Sequence, residues 1–482
     1  MNGENSRFDF TAPIPALDEL GAVHFIAIGG AGMSGVARVM LARGCRVSGS
    51  DAKQSPVLAA LSAEGADVHV GHDPAYLDGK DTVVISSAIR ESNVELAAAR
   101  ERGLRVLHRA QALASTMVDA RRVAVAGANG KTTTTSMLTV ALQHCGTDPS
   151  FAAGGELAKH GTNAHWGNGD IFVAEADESD GSFLVYRPHV AVVTNVQADH
   201  LDFYGTFSRV QEAYAAFVGS VEPDGLLVAC QDDEGSRQLA DVARAAGTRV
   251  LTYGWSPESD VVLAGVAFRG LTSHTSITGP DGVARILRIN IPGRHNLLNA
   301  AAAFTTAVEG LGQDPERVLE GLFGFTGTRR RFEPKGSEGG VSVVDDYAHN
   351  PGKVAAVVGT GAELVRAGES PGRLVVVFQP HLYSRTRDFA REFAAALAPA
   401  DVVVLMEIYG AREDPMPGIS SQLVADALGE LRSDADVEVI SSWSAVADAV
   451  AARTRPGDLV LTVGAGDVTM IGPEILRALG QA

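Results

Sequence analysis

The stretch VAVAGANGKTTTTSM at residues 123–137 constrains this chain more than any other. An apolar, β-branched run leads into GxxGKT and then into residues that suit a helix, which is the strand–loop–helix order of a phosphate-binding loop. Gly127 and Gly130 let backbone amides wrap phosphate oxygens, Lys131 supplies the cation, and the Thr132 hydroxyl suits magnesium. Val125 stands where the full pattern has its first glycine. A second glycine-rich loop, GGAGMSG at residues 29–35, also follows an apolar run and opens a helix. Its glycines would bring backbone N–H groups close to a pyrophosphate. Asp51 ends the next predicted strand, where a dinucleotide fold places a ribose-binding acid, so this stretch alone favours NAD. Two such loops call for two ligands, or for one ligand and a tight strand-to-helix turn that binds nothing.

Around the loops, short β-branched runs alternate with alanine-rich helical stretches, the pattern of parallel sheets with crossover helices. The rhythm fills residues 1–118, restarts at RRVAVAG, and restarts again after RRRFEPKGSEGG. The expected fold is α/β in three domains: an N-terminal Rossmann-like domain at 1–118, a central P-loop ATPase-type domain at 119–327, and a C-terminal Rossmann-like domain at 328–482. Residues 260–290 read as hairpins with a turn at TGPDG. A length of 482 residues fits several cores, and the formal charge of −18 argues against nucleic acid as a partner. The polar start MNGENSRFDFTAPIP and the lack of a long apolar run lead to the expectation of a soluble, cytoplasmic protein without a membrane partner. Cys45, Cys145 and Cys230 lack metal-type spacing and are expected to be buried, reduced thiols.

The motifs GGAGMSG, GANGKTTT, EADESDGSF, TNVQADHLDFYG, PGRHNLLNAAAA, RRFE, DDYAHNP, FQPHLYSRT and GAGD run in order from residue 29 to residue 467. In that order the chain resembles the Mur ligase family of peptidoglycan precursor synthesis, and within it the branch that joins L-alanine to UDP-N-acetylmuramate. The resemblance implies ATP-dependent amide formation through an acyl phosphate, with magnesium, for which manganese can substitute. It also implies that the first loop holds the pyrophosphate of UDP. On the matching positions, Gly30, Gly32, Met33, Ser34, Ser50, Asp51, His72, Ser86 and Ser87 fall to the UDP-sugar. Gly127, Asn129, Gly130, Lys131, Thr132, Thr133, His295, Asn296, Asn299, Arg331 and Asp346 fall to ATP. Thr132, Glu175 and His200 fall to the metal. Tyr347, His349, His381 and Arg385 fall to the amino acid. Lys131, Glu175, His200 and Arg331 carry the phosphoryl chemistry, which needs cations and positioning more than covalent catalysis.

The chain departs from the family pattern at Ala128-Asn129 (usually GTHGKT), at His349-Asn350 (usually HHP) and at Leu382, where a basic residue is often found. Two imidazoles become amides that donate hydrogen bonds without carrying charge, which bears on magnesium affinity, pH dependence and the choice among alanine, glycine and serine. No lysine occurs between Lys159 and Lys335, so the carbamylated lysine of the later Mur ligases has no counterpart. The nearest rival is the ligase that recycles tripeptides onto UDP-N-acetylmuramate, and a folate-polyglutamating ligase is more remote. From other classes, a nicotinamide dehydrogenase and a catalytically silent nucleotide-binding regulator remain. The oligomeric expectation is a monomer or homodimer.

Overall fold

The computed structural model describes residues 7–157, 161–269, 271–367, 372–411 and 413–481. Lys159, which bounds the lysine-free stretch, and residues 1–6 of the polar start lie outside them.

The first sheet contains β1 (Ala22–Ile26), β2 (Arg46–Asp51), β3 (Asp67–Val70), β4 (Thr82–Ile85) and β5 (Arg105–His108). Their order is β3-β2-β1-β4-β5, with every pairing parallel. The order reverses beside β1, so a crevice opens past the carboxyl ends of β1 and β4, and the GGAGMSG loop leaves β1 at that point. β1 is buried along its whole length, as an apolar run between covered sheet faces should be.

A second sheet follows, formed by β6 (Arg121–Ala126), β7 (Ser150–Leu157), β8 (Thr162–His165), β9 (Ile171–Glu175), β10 (Val190–Val193), β11 (Leu226–Cys230), β12 (Arg249–Gly254), β13 (Val261–Arg269), β14 (Thr272–Thr278) and β15 (Ala284–Ile289). The order is β15-β14-β13-β12-β11-β10-β6-β9-β7-β8. β6 pairs in parallel with β10 on one side and β9 on the other, which places the P-loop at a sheet centre.

The third sheet holds β16 (Glu333–Glu338), β17 (Val341–Asp346), β18 (Leu374–Phe378), β19 (Val402–Met406), β20 (Asp436–Ile440) and β21 (Leu459–Val463), in the order β16-β17-β21-β18-β19-β20. Only β16 runs antiparallel, at the edge and with a register shift between Pro334 and Gly336. Its sequence, EPKGSE, reads as a loop because proline and glycine disfavour strand interiors. An edge strand with a bulge tolerates both.

Two compact units result. One comprises Met1–Gly265, Thr275–Arg288 and Leu298–Thr326, and the other Val266–His274, Ile289–Leu297 and Gly327–Ala482. The boundary expected at 118–119 lies inside the first unit, where one apolar core takes in Phe25, Met33, Val36 and Leu113 together with Ala124, Phe172 and Ala174. Cys230 is buried, whereas Cys45 and Cys145 are only half-buried, and all three thiols are free. No helix among the described residues is long and apolar enough to cross a membrane.

Candidate functional site

The P-loop is built as its sequence demands. Gly127 and Gly130 have φ of 134° and 88°, and Gly130 caps the helix Lys131–Cys145 in a left-handed conformation. A Cβ on Gly127 would meet Thr194 Oγ1 at 2.0 Å, and one on Gly130 would meet Asn299 Oδ1 at 2.4 Å. Asn299 is therefore packed against the loop. Lys131 Nζ donates to Gly127 O at 2.6 Å and pairs with Glu178 Oε1 at 2.9 Å. Burial works against this ammonium, yet the carboxylates of Glu178, Asp177 and Glu175 hold it above the ordinary lysine range. Thr132 and Thr133 are buried in the first turn. Asn129, in the place of the family imidazole, donates through Nδ2 to Gln197 Oε1 at 3.0 Å.

Two of the three expected metal groups meet: Thr132 Oγ1 donates to Glu175 Oε1 at 3.1 Å, at the carboxyl end of β9. His200 does not join them; it sits in a left-handed turn, with Nε2 4.0 Å from Asp199. Among the described residues no group of three His, Cys, Asp or Glu side chains could hold a metal. A hydroxyl beside a carboxylate nevertheless fits magnesium, which takes one or two protein oxygens and fills its shell with water and phosphate.

Beside the first glycine loop lies a cavity of about 300 Å³, lined by Gly30, Gly32, Met33 and Ser86 on one side of the sequence and by Gly154, Glu175 and Asp177 on the other. The first-loop helix, Ala31–Ala42, has Gly30 as its N-cap and no side-chain cap. The other residues expected at the UDP rim are engaged within the protein. Asp51 Oδ2 accepts Gly29 N–H at 3.0 Å and so braces the loop. The Ser34 hydroxyl donates to Ala31 O at 3.1 Å. Ser50 Oγ and His72 Nδ1 lie 2.6 Å and 3.1 Å from Glu95 Oε2, a fully buried carboxylate. Burial raises the Glu95 carboxyl, but hydrogen bonds from His24 and Ser50 outweigh it and leave the group below its ordinary value. Ser87 Oγ donates to Asp180 Oδ2 at 2.5 Å, beside His108.

In the second unit, Tyr347, His349, His381 and Arg385 are neighbours. Arg385 Nη1 lies 3.4 Å from His381 Nδ1 and 3.5 Å from His349 O. The rings of His349 and His381 are 5.8 Å apart, and His381 stacks on Tyr409 at 5.9 Å. Burial and then the Lys353 charge push the His349 pKa down to about 3, so this imidazole is neutral at pH 7. Leu382 has φ of 73°, which bends the HLYSR loop. Asp346 accepts the N–H groups of Phe332 and Ala348, each at 2.8 Å, and burial raises its pKa against the lowering effect of Arg331. Arg331 lies over the Tyr347 ring at 5.5 Å, while its neighbour Arg330 is pinned by Asp345, Gly464 and Gly466. His295 is half-buried with its pKa pushed down to about 4 by burial, and Asn296 Nδ2 turns back to Pro292 O at 2.6 Å.

Three family models match the chain: "Mur ligase family, catalytic domain" at residues 22–121, "Mur ligase middle domain" at 125–307, and "Mur ligase, glutamate ligase domain" at 330–466. The UDP-N-acetylmuramate–L-alanine ligase of Renibacterium salmoninarum is 53% identical over 463 residues, covering 96% of this chain and 97% of its own. The chain belongs to the Mur ligase family. The ligase of the same name from Kineococcus radiotolerans is 53% identical over 473 residues, with 98% of each chain covered. Among solved structures, the UDP-N-acetylmuramate-alanine ligase of Thermotoga maritima matches this Mur ligase with a TM-score of 0.77 at 28% identity, over 95% of this chain and 98% of its own. A murein peptide ligase from Psychrobacter arcticus shares the fold, with a TM-score of 0.68 at 22% identity, over 96% of this chain and 99% of its own. The dehydrogenase reading of the first loop falls with these matches, because the first family model takes in both that loop and Asp51.

Four residues that contact the expected positions or line the cavity escape sequence reading: Glu95, Arg109, Glu178 and Tyr409. Glu178 lies inside the quoted EADESDGSF motif, and an acid facing the P-loop lysine was a signal available there. The other three act on partners remote in sequence, and nothing local marks them.

Proposed function

We propose that this Mur ligase joins L-alanine to the lactyl carboxylate of UDP-N-acetylmuramate, consuming ATP and releasing ADP and phosphate. The observation that carries the reading is the full-length identity of 53% to UDP-N-acetylmuramate–L-alanine ligases. A carboxylate is a poor acyl donor because an amine would have to expel oxide. Transfer of the γ-phosphoryl group converts it to an acyl phosphate, and attack by the amine then expels phosphate. Lys131, freed from Glu178, would neutralise the phosphate oxygens, and Arg331 would add a second cation. Thr132 and Glu175 would hold magnesium, which stabilises charge on the phosphates when bound, and the motif assigns His200 beside them. Asp346 would receive the ATP ribose, with Asn299 at the P-loop.

Arg385 would clamp the alanine carboxylate, and the neutral imidazole of His349, with His381 beside it, would line its amine. Only a deprotonated amine attacks, and an uncharged His349 does not oppose its arrival. Phosphate release from ATP, with UDP-N-acetylmuramate and each of alanine, glycine, serine and the stem tripeptide in turn, tests the reading. Turnover fastest with alanine supports it. Turnover only with the tripeptide would assign the recycling reaction instead, and nucleotide binding without turnover would indicate a silent regulator.

A further inference from the structure

The cavity beside the first glycine loop is acidic wherever it is charged, with one exception. Glu175 and Asp177 line it, and the chain as a whole carries −18. Arg109, at the start of the helix Arg109–Ser115, is the one cation among the described residues of its wall. A Cβ added to Gly32 would lie 2.8 Å from Arg109 Nη1, so the guanidinium rests directly on the first glycine loop. Arg109 Nη2 donates to Asp177 Oδ2 at 2.8 Å, and Asp177 accepts Ser179 N–H on its other oxygen at 3.1 Å. Burial works against the Arg109 charge, which the carboxylate of Asp177 sustains. Beyond its bond to Asp177, the guanidinium adjoins Gly32 in the first turn of the helix Ala31–Ala42, so two positive groups meet at one point of the wall. An anion arriving there would be met by both.

We propose that Arg109 is a pyrophosphate-binding residue: its guanidinium, resting on Gly32 and anchored by Asp177, takes phosphate oxygens of the nucleoside diphosphate that enters this cavity. The inference rests on the UDP-sugar reading of the first loop and adds to it a charged contact from β5's following helix. A planar fork can bond Asp177 with one edge and phosphate with another, which a lysine cannot do. A side chain at Gly32 would push the guanidinium out of this position.

Calorimetric titration of the full chain with UDP, uridine and UDP-N-acetylmuramate tests this. In Arg109→Ala, affinity for UDP and for the UDP-sugar should fall together by about thirtyfold or more, with uridine binding unchanged. Binding of a non-hydrolysable ATP analogue at wild-type strength would report an intact fold. If Arg109→Ala does not fold, Arg109→Lys carries the test, with a smaller but parallel loss for both diphosphates. Loss confined to UDP-N-acetylmuramate, with UDP unaffected, would overturn the proposal and give Arg109 to the sugar's carboxylate. Unchanged affinity for both would make Arg109 a strut for Asp177. Failure of the wild-type chain to bind either diphosphate would refute the UDP-sugar reading itself, an outcome separate from any result with the variants.

Discussion

Arg385→Ala separates capture of the amino acid from activation of the sugar. Arg385 Nη1 lies within 3.5 Å of both His381 Nδ1 and His349 O, and His349 is neutral at pH 7, so the guanidinium rather than that imidazole supplies positive charge at this point. The arginine is half-buried, which places its pairing with a carboxylate toward the lower end of the 2–5 kcal/mol typical of desolvated pairs. A loss of about 2 kcal/mol corresponds to a rise of about thirtyfold in KM for alanine. The assay has two arms: steady-state KM for alanine, and borohydride trapping of the activated sugar formed from ATP and UDP-N-acetylmuramate. The expected result is a raised KM with trapped product at the wild-type level. Normal alanine KM together with loss of the trapped product would refute the placement and move Arg385 to the phosphate site.

Lys131→Ala should lower kcat by about a hundredfold or more, since it deletes a charge at the transferring phosphoryl group; a variant with most of its kcat would remove Lys131 from that role. Gly127→Ala combines a positive φ with a 2.0 Å approach to Thr194 Oγ1, and should abolish binding of an ATP analogue or destabilise the protein by about 1–3 kcal/mol, read by urea unfolding. Glu175→Gln should raise the magnesium concentration needed for half-maximal rate; an unaltered magnesium requirement would count against Glu175 as a metal group. The His349 pKa lies at about 3 in the fold against 6.5 ordinarily, so between those values the unfolded state binds more protons and stability falls as pH drops below 6.5. Urea midpoints at pH 7.5 and pH 5 should therefore differ less in His349→Gln than in the wild type.

Elements whose signal is local were legible in the sequence. The runs RRVAVA, VAVV and LVVVF become central strands because buried parallel strands are apolar throughout, and GANGKT becomes a P-loop because its glycines alone tolerate the backbone it needs. The strands β7, β8 and β16 were not legible, being short, glycine-bearing or at sheet edges, where packing rather than composition decides pairing. Site chemistry divides in the same way. Asp51 reads as a ribose-binding acid from its spacing, but its carboxylate closes on Gly29 N–H of the neighbouring turn. Ser50 reads as rim, yet Glu95, far along the chain and at the start of another helix, draws it and His72 inward. Arg109 has no motif at all. Its role depends on Gly32 and Asp177, which only the folded chain brings to it.

The central claim is that the lactyl carboxylate is activated by phosphoryl transfer before it meets the amine, and oxygen labelling tests this most directly. UDP-N-acetylmuramate carrying heavy oxygen in its lactyl carboxylate is turned over with ATP and L-alanine, and the released phosphate is analysed by mass. Attack of the carboxylate on the γ-phosphorus followed by expulsion of phosphate places one labelled oxygen in each phosphate. Phosphate free of label, with amide still formed, would contradict an acyl-phosphate route.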